Sequence, residues 1–339
     1  MVSKAKYDKM YIMKRMFLSL FLVLLTTSRV VGSDLYYDLS EKIENHINDV
    51  LEQNDDYKGL DRCAENGKYA NNFTIDRRCY VNDEAKQMSP YNAVVAIGNT
   101  PGSKNYSYFD YYTTCTGVIV KNPNDEQLYV YSAGHCVSDQ PQSAVTQDGR
   151  AFPISNIIDE YDKKNGKFLK DYAVFTIPQE YQSSLPYVMT TTNFTRKNVD
   201  IVGYGTLPIL SDTAIKTAKK EWGNKLRGYK SNASKEQKDI IKQIAKNNTF
   251  IDFLPTEIKL KASFNCDMPK NKIHIGYKNV CQAFRKDSGG PVFDTNGRLV
   301  AVVSNGLAQD SLGSYINFYY SGAQPITPID NQLKQQTIK

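Results

Sequence analysis

An imidazole base can come from three places in this chain, His46, His135 and His274. His135 lies in Tyr131-Ser-Ala-Gly-His-Cys136, directly after the apolar run Leu128 to Tyr131. Downstream, Asp171 opens Asp171-Tyr-Ala-Val-Phe175, an acid at the start of a segment that otherwise reads as a buried strand. Further on, Lys286-Asp-Ser-Gly-Gly-Pro-Val-Phe293 sets Ser288 in a glycine-bounded turn before an apolar strand. A hydroxyl attacks a carbonyl at neutral pH when a base takes its proton, a carboxylate orients that base, and N–H donors meet the oxyanion. Glycines beside a serine let backbone amides approach a substrate oxygen closely. His46 falls instead on the polar face of an amphipathic segment, the simplest place for an ordinary histidine.

The elements that must position these groups are mostly short strands. From Tyr91 onward, runs rich in Val, Ile, Tyr and Phe alternate with Gly, Asn, Asp and Pro clusters. They include Ala93 to Ile97, Gly117 to Val120, Leu128 to Tyr131, Tyr172 to Ile177 and Val199 to Gly203. The runs resume at Glu257 to Phe264, Gly290 to Phe293, Leu299 to Ser304 and Tyr315 to Tyr320, a pattern of an all-β sandwich or barrel. Two stretches break it. Asp34 to Gln53 places Leu35, Leu39, Ile43, Ile47 and Leu51 at steps of four among polar residues, which predicts one amphipathic helix. Leu207 to Thr256 also reads as helical, and Lys216 to Lys246 holds ten Lys or Arg against three acids, more than the whole net charge of +6. Such a run is either a solvated face or a patch for an acidic partner or a membrane surface. The tail from Pro328 reads as a short polar helix or a frayed end.

Composition excludes several classes. A chain of 339 residues that is 41% hydrophobic can bury a sizeable core, so disorder is not expected. Lys4, Lys6, Lys9, Lys14 and Arg15 precede the run Met16 to Leu25, the layout of a secretory signal. That run is shorter than the roughly 20 residues a membrane span needs. Six cysteines, Cys63, Cys79, Cys115, Cys136, Cys266 and Cys281, then point to disulfides. Sequential pairing 63–79, 115–136 and 266–281 is the simplest of the alternatives. No pair has the two-residue gap of a zinc knuckle, so no metal is expected. The order His, Asp, Ser differs from the Ser, acid, His order of hydrolases built on a Gly-x-Ser-x-Gly elbow.

Taken together, Cys115-Thr-Gly, Ala133-Gly-His-Cys136, Asp171-Tyr-Ala-Val, Val202-Gly-Tyr-Gly205, Asp287-Ser-Gly-Gly-Pro291 and Val303-Ser-Asn-Gly306 resemble the chymotrypsin/trypsin superfamily of serine proteases in order and spacing. Asp76-Arg-Arg followed by Ser89-Pro-Tyr-Asn-Ala-Val resembles the domain entry of its bacterial, glutamyl-endopeptidase-like branch. The resemblance runs from about Asp76 to Ile326, interrupted by the basic insertion. It implies an all-β fold of two antiparallel Greek-key β-barrels of the chymotrypsin type, with an N-terminal helical segment and a helical insertion in the second barrel. It implies catalysis by His135, Asp171 and Ser288, and an oxyanion hole from the backbone amides of Lys286 and Ser288. Asp287 would pair with a new N-terminus or a local donor. Gln282, Ser304, Asn305 and Gly306 would line the substrate pocket.

This chain departs from the family at three places. Lys286 stands where the family has Gly. Gln282 floors the pocket in place of the Asp that selects basic residues, and Val303 stands where the glutamyl-specific branch has His. No Ile or Val followed by two glycines marks an activation site. The expected division is 1–32 signal peptide, 33–83 helical or propeptide segment, 84–195 first barrel and 196–339 second barrel, with the basic insertion at 207–256. The leading segment is either a propeptide or a permanent helix. The expected protein is a secreted or periplasmic, monomeric endopeptidase acting on protein or peptide substrates, without cofactor, nucleic acid or transmembrane anchor. The alternative is a pseudo-protease that keeps the fold as a binding module.

Overall fold

The computed structural model describes residues 35–53, 79–98, 113–139, 143–164, 167–205, 210, 212–247, 259–269, 277–279, 283–284, 286–305 and 321–337. The signal segment, Cys63, His274, Cys281, Gln282, Gly306 and the run Tyr315 to Tyr320 lie outside them.

The chain divides into two compact units, one of residues 1–53 and 216–254, the other of residues 54–215 and 255–339. In the smaller unit, helix α1 spans residues 35–52. It buries Leu39, Ile43, Ile47 and Leu51, the stripe that the step of four predicts. The basic segment forms helix α2, Asp212–Asn232, and helix α3, Lys235–Asn247. Ser234 starts α3 with a reciprocal cap: its hydroxyl accepts from the Gln237 N–H at 3.2 Å, and the Gln237 side chain accepts from the Ser234 N–H at 2.9 Å. Within this unit Ala218, Leu226, Ile241 and Ile244 are buried, and His46 on α1 lies 3.3 Å from Glu221 on α2. The leading segment and the insertion, treated as separate features in the sequence, therefore share one unit.

The larger unit holds two antiparallel seven-stranded sheets. Its strands are β1 Cys79–Tyr80, β2 Val94–Gly98, β3 Thr113–Lys121, β4 Leu128–Ser132, β5 Ser143–Val145, β6 Ala151–Pro153, β7 Ser155–Lys164, β8 Lys167–Thr176, β9 Val199–Gly203, β10 Lys261–Cys266, β11 Tyr277–Asn279, β12 Pro291–Phe293, β13 Leu299–Asn305 and β14 Ser321–Pro325. The first sheet runs β6-β5-β2-β3-β4-β8-β7 and the second β1-β10-β9-β12-β13-β14-β11. β2 and β4 are buried along their whole length, as their unbroken apolar runs require.

Three findings differ from the expected layout. β1 falls in the segment expected to be helical or propeptide, yet pairs with β10 in the second sheet. The acid-bearing strand starts at Lys167 rather than Tyr172, because β7 and β8 form a long hairpin whose outer part is polar and gives no apolar run to read. The C-terminal helix α4, Thr327–Thr337, follows the second sheet but docks on the first. Ile326, Ile329 and Leu333 join the core of β2, β3, β4 and β8, and the hydroxyls of Tyr131 and Tyr172 donate to Asp330 at 2.9 Å and Gln332 at 2.8 Å.

Candidate active site

β4 delivers the histidine. It leads through buried Ala133 into the 3₁₀ turn Gly134–Asp139, which carries His135 and Cys136. The disulfide Cys115–Cys136 ties that turn back to β3. Cys79 and Cys266 are also disulfide-bonded, with partners outside the described residues, and no described cysteine is free. Cys115, His135 and Cys136 bring their sulfur and nitrogen atoms within 4.8 Å, but a disulfide offers no thiolate to a metal.

β8 delivers the acid. Ala173 pairs with Ser132 at the end of β4, which brings Asp171 beneath the histidine turn. The Asp171 side chain is 0% exposed, and that of His135 is 30% exposed. A buried carboxylate needs donors for its lone pairs, and this one has three. The backbone N–H of His135 donates to Oδ1 at 2.9 Å, and His135 Nδ1 lies 3.0 and 2.9 Å from the two oxygens. The hydroxyl of Ser304 on β13 donates to Oδ2 at 2.6 Å. Because the carboxylate accepts, the proton of a neutral His135 sits on Nδ1, and Nε2 keeps its lone pair. Tyr161, paired with Asp171 across the β7–β8 hairpin, sets its ring 6.1 Å from the imidazole.

The second sheet delivers the serine. Between buried Phe284 and β12, the turn at residues 286–290 is held from both sheets. The Thr116 N–H donates to the Ser288 carbonyl at 2.8 Å, and the Thr116 hydroxyl to the Lys286 carbonyl at 2.7 Å. Gly289 donates to the Val303 carbonyl at 2.6 Å, beside Ser304. Gly289 adopts φ +80°, and a Cβ there would lie 2.0 Å from the Ser132 hydroxyl oxygen, so this position admits only glycine. The Ser288 carbonyl also lies 3.8 Å from the Sγ of Cys136, the neighbour of His135. Ser288 itself is partly exposed. The turn is thus seated on the strand ends that carry His135.

Asp287 is 1% exposed. Its oxygens accept from the backbone N–H groups of Gly205 at 2.6 Å and Phe284 at 2.7 Å, so local donors meet it. Lys286 has φ +74°, a left-handed conformation that costs a residue with a Cβ about 1–2 kcal/mol. Of the residues expected to line the pocket, Gln282 and Gly306 lie outside the described residues. Asn305 pairs with Gly322. The Ser304 hydroxyl, expected to line the pocket, instead serves Asp171, a contact without a signal in spacing because the two are far apart in the chain.

A family model described as Trypsin matches residues 82–327. A search of curated proteins returns no match. Among solved structures, a Glu endopeptidase in complex with MPD is similar at 15% identity, over 78% of this chain and 98% of that one, with a TM-score of 0.43. HL collagenase is similar at 15% identity, over 79% and 98%, with a TM-score of 0.45. A serine endoprotease from Yersinia pestis is similar at 15% identity, over 72% and 62%, with a TM-score of 0.41. Likeness at that level carries no weight for activity or specificity.

Proposed function

Because this chain belongs to the trypsin family of serine proteases, we propose that it is a secreted endopeptidase whose triad is His135, Asp171 and Ser288, on two Greek-key barrels, one from each sheet. The observation that carries this reading is the carboxylate of Asp171, fully buried, locked to both the backbone and the ring of His135, beside a serine turn seated on the same strand ends.

In this reading Ser288 Oγ attacks the scissile carbonyl while His135 Nε2 takes its proton. Asp171 holds the tautomer and stabilises the imidazolium. The backbone N–H groups of Lys286 and Ser288 receive the oxyanion. His135 then protonates the leaving amine, and a water molecule, deprotonated by the same imidazole, hydrolyses the acyl-enzyme. The signal-like N-terminus and the cysteine content support export, and no described helix is long and apolar enough to cross a membrane. The domain entry supports a place near the glutamyl-endopeptidase branch. Gln282 and Val303 support neither a basic nor an acidic preference in the substrate.

One observation favours the second reading, a pseudo-protease: Lys286 at φ +74°, where a peptide turned the wrong way removes an oxyanion donor. Labelling with a fluorophosphonate separates the two, since only a working triad and hole phosphonylate Ser288 quickly. The expected result is rapid labelling of Ser288, with Ser288→Ala and His135→Ala each losing peptide hydrolysis by a factor of order 10⁶. A folded protein that stays unlabelled sinks the protease reading and leaves the binding module.

A further inference from the structure

Helix α4 touches the hairpin that carries Asp171, and the reaction above makes no use of it. In antiparallel strands, directly paired residues share a face and successive pairs alternate between faces. On the β7–β8 hairpin Tyr161 pairs with Asp171, and both meet His135, Asp171 through hydrogen bonds and Tyr161 through its ring. The next pair, Glu160 and Tyr172, projects to the other face, where its side chains meet α4.

Gln332 of α4 holds that second pair with both ends of its amide. Its oxygen accepts from the Tyr172 hydroxyl at 2.8 Å, and its nitrogen donates to Glu160 Oε1 at 3.0 Å. A side-chain amide has one accepting and one donating end, so a phenol and a carboxylate together fix its orientation. Glu160 Oε2 accepts from Lys170 at 3.0 Å, which holds the carboxylate on both oxygens. Tyr172 is buried, and a buried hydroxyl left without a partner is costly.

The backbone of the same pair supports the histidine turn. A Cβ built on Gly134 would lie 2.4 Å from the Glu160 carbonyl oxygen and 3.0 Å from the Tyr172 nitrogen. Gly134, the residue before His135, therefore rests directly on this rung of the hairpin. A shift of the rung displaces the turn that carries the imidazole, and with it the carboxylate one residue along β8.

We propose that Gln332 is a positioning residue for the His135–Asp171 pair: by gripping Glu160 and Tyr172 from behind, it fixes the rung on which the histidine turn rests. This rests on the reading of that pair as base and orienting acid, but its geometry can be measured without catalysis.

The test follows solvent exchange of the His135 Nδ1 proton by NMR in the full-length protein, with fluorophosphonate labelling run in parallel. Gln332→Met, which keeps the side chain's length and removes both bonds, is expected to speed exchange and slow labelling, each about fivefold. Tyr172→Phe, which deletes one oxygen, is expected to move both readouts in the same direction by less. Glu160→Gln combined with Gln332→Glu exchanges carboxylate and amide, keeps both bonds, and is expected to recover most of both rates. Wild-type exchange and labelling in Gln332→Met, or in Tyr172→Phe should the first variant fail to fold, overturns the proposal. So does a double exchange no better than Gln332→Met alone, which marks simple packing. Absence of labelling in wild type bears on the protease reading alone, because the proton exchange still decides the positioning.

Discussion

In the proposed reaction Ser304 and Lys286 act on opposite ends of the site. The Ser304 hydroxyl gives Asp171 a bond that the histidine cannot supply, at 2.6 Å in a fully buried setting. A hydrogen bond to a buried charge contributes about 1.5–3 kcal/mol. Ser304→Ala is therefore expected to lower kcat roughly ten- to a hundredfold with little change in KM, read from steady-state kinetics on a peptide substrate. Unchanged kcat would show that His135 alone satisfies the acid. Lys286 keeps its N–H, so the donor survives, but its φ of +74° favours glycine. Losing one oxyanion donor costs about 2.7–4 kcal/mol, and a partial outward turn of the peptide costs less. Lys286→Gly is expected to raise turnover and labelling rate by roughly tenfold. An equal or lower rate would mean that the lysine is harmless or touches substrate itself.

Strand β9 shows how one element carries both support and a cost. It pairs with β10 and β12, and at Gly203 a Cβ would collide with the Asp287 carboxylate. The same strand half-buries Asp200, whose carboxyl is pushed up to about 6 by desolvation, against hydrogen bonds from the Asn265 N–H and from Tyr91 that favour its charged form. Between about pH 4 and pH 6 the unfolded chain gives up this proton while the folded chain keeps it, so stability falls as pH rises through that window. The cost above it reaches up to about 3 kcal/mol. Asp200→Asn is expected to raise the urea midpoint at pH 7.5 and to leave it unchanged near pH 4. Equal midpoints at both pH values would show that Asp200 ionises freely in the folded state. The β7–β8 hairpin teaches a related lesson. Its inner end was legible from Tyr172-Ala-Val-Phe175, whereas its outer polar residues pair through backbone bonds that leave no hydrophobic signature.

At the scale of the molecule, the described elements of the smaller unit are all helices. Ile43 and Ile47 on α1 are each 0% exposed and lie one turn apart. Ile43→Asp with Ile47→Asp places two charges in that core and is expected to destabilise the unit by at least about 3 kcal/mol. Limited proteolysis with a lysine-specific protease reads this directly, because Lys216 to Lys246 become cleavable once α2 and α3 melt. Cleavage no faster than in wild type would show that α1 does not support the hairpin. The outcome also bears on the leading segment. A helix needed by residues 216–254 is expected to remain in the active protein, and N-terminal sequencing of that protein would find α1 either retained or removed.

Local chemistry marked much of this protein in one dimension. The glycines around Ser288, the histidine turn before a cysteine, and the acid just ahead of an apolar run are short-range features, because each is read from its own neighbours. The step of four in α1 and the apolar runs of β2 and β4 are equally local. What needed three dimensions were contacts between residues far apart in sequence, fixed by strand order rather than by spacing. Ser304 reaches Asp171 because the second sheet abuts the first there, and β1 enters the second sheet because β10 offers it a free edge. Sequence names the groups that can react, while burial and register decide which of them meet.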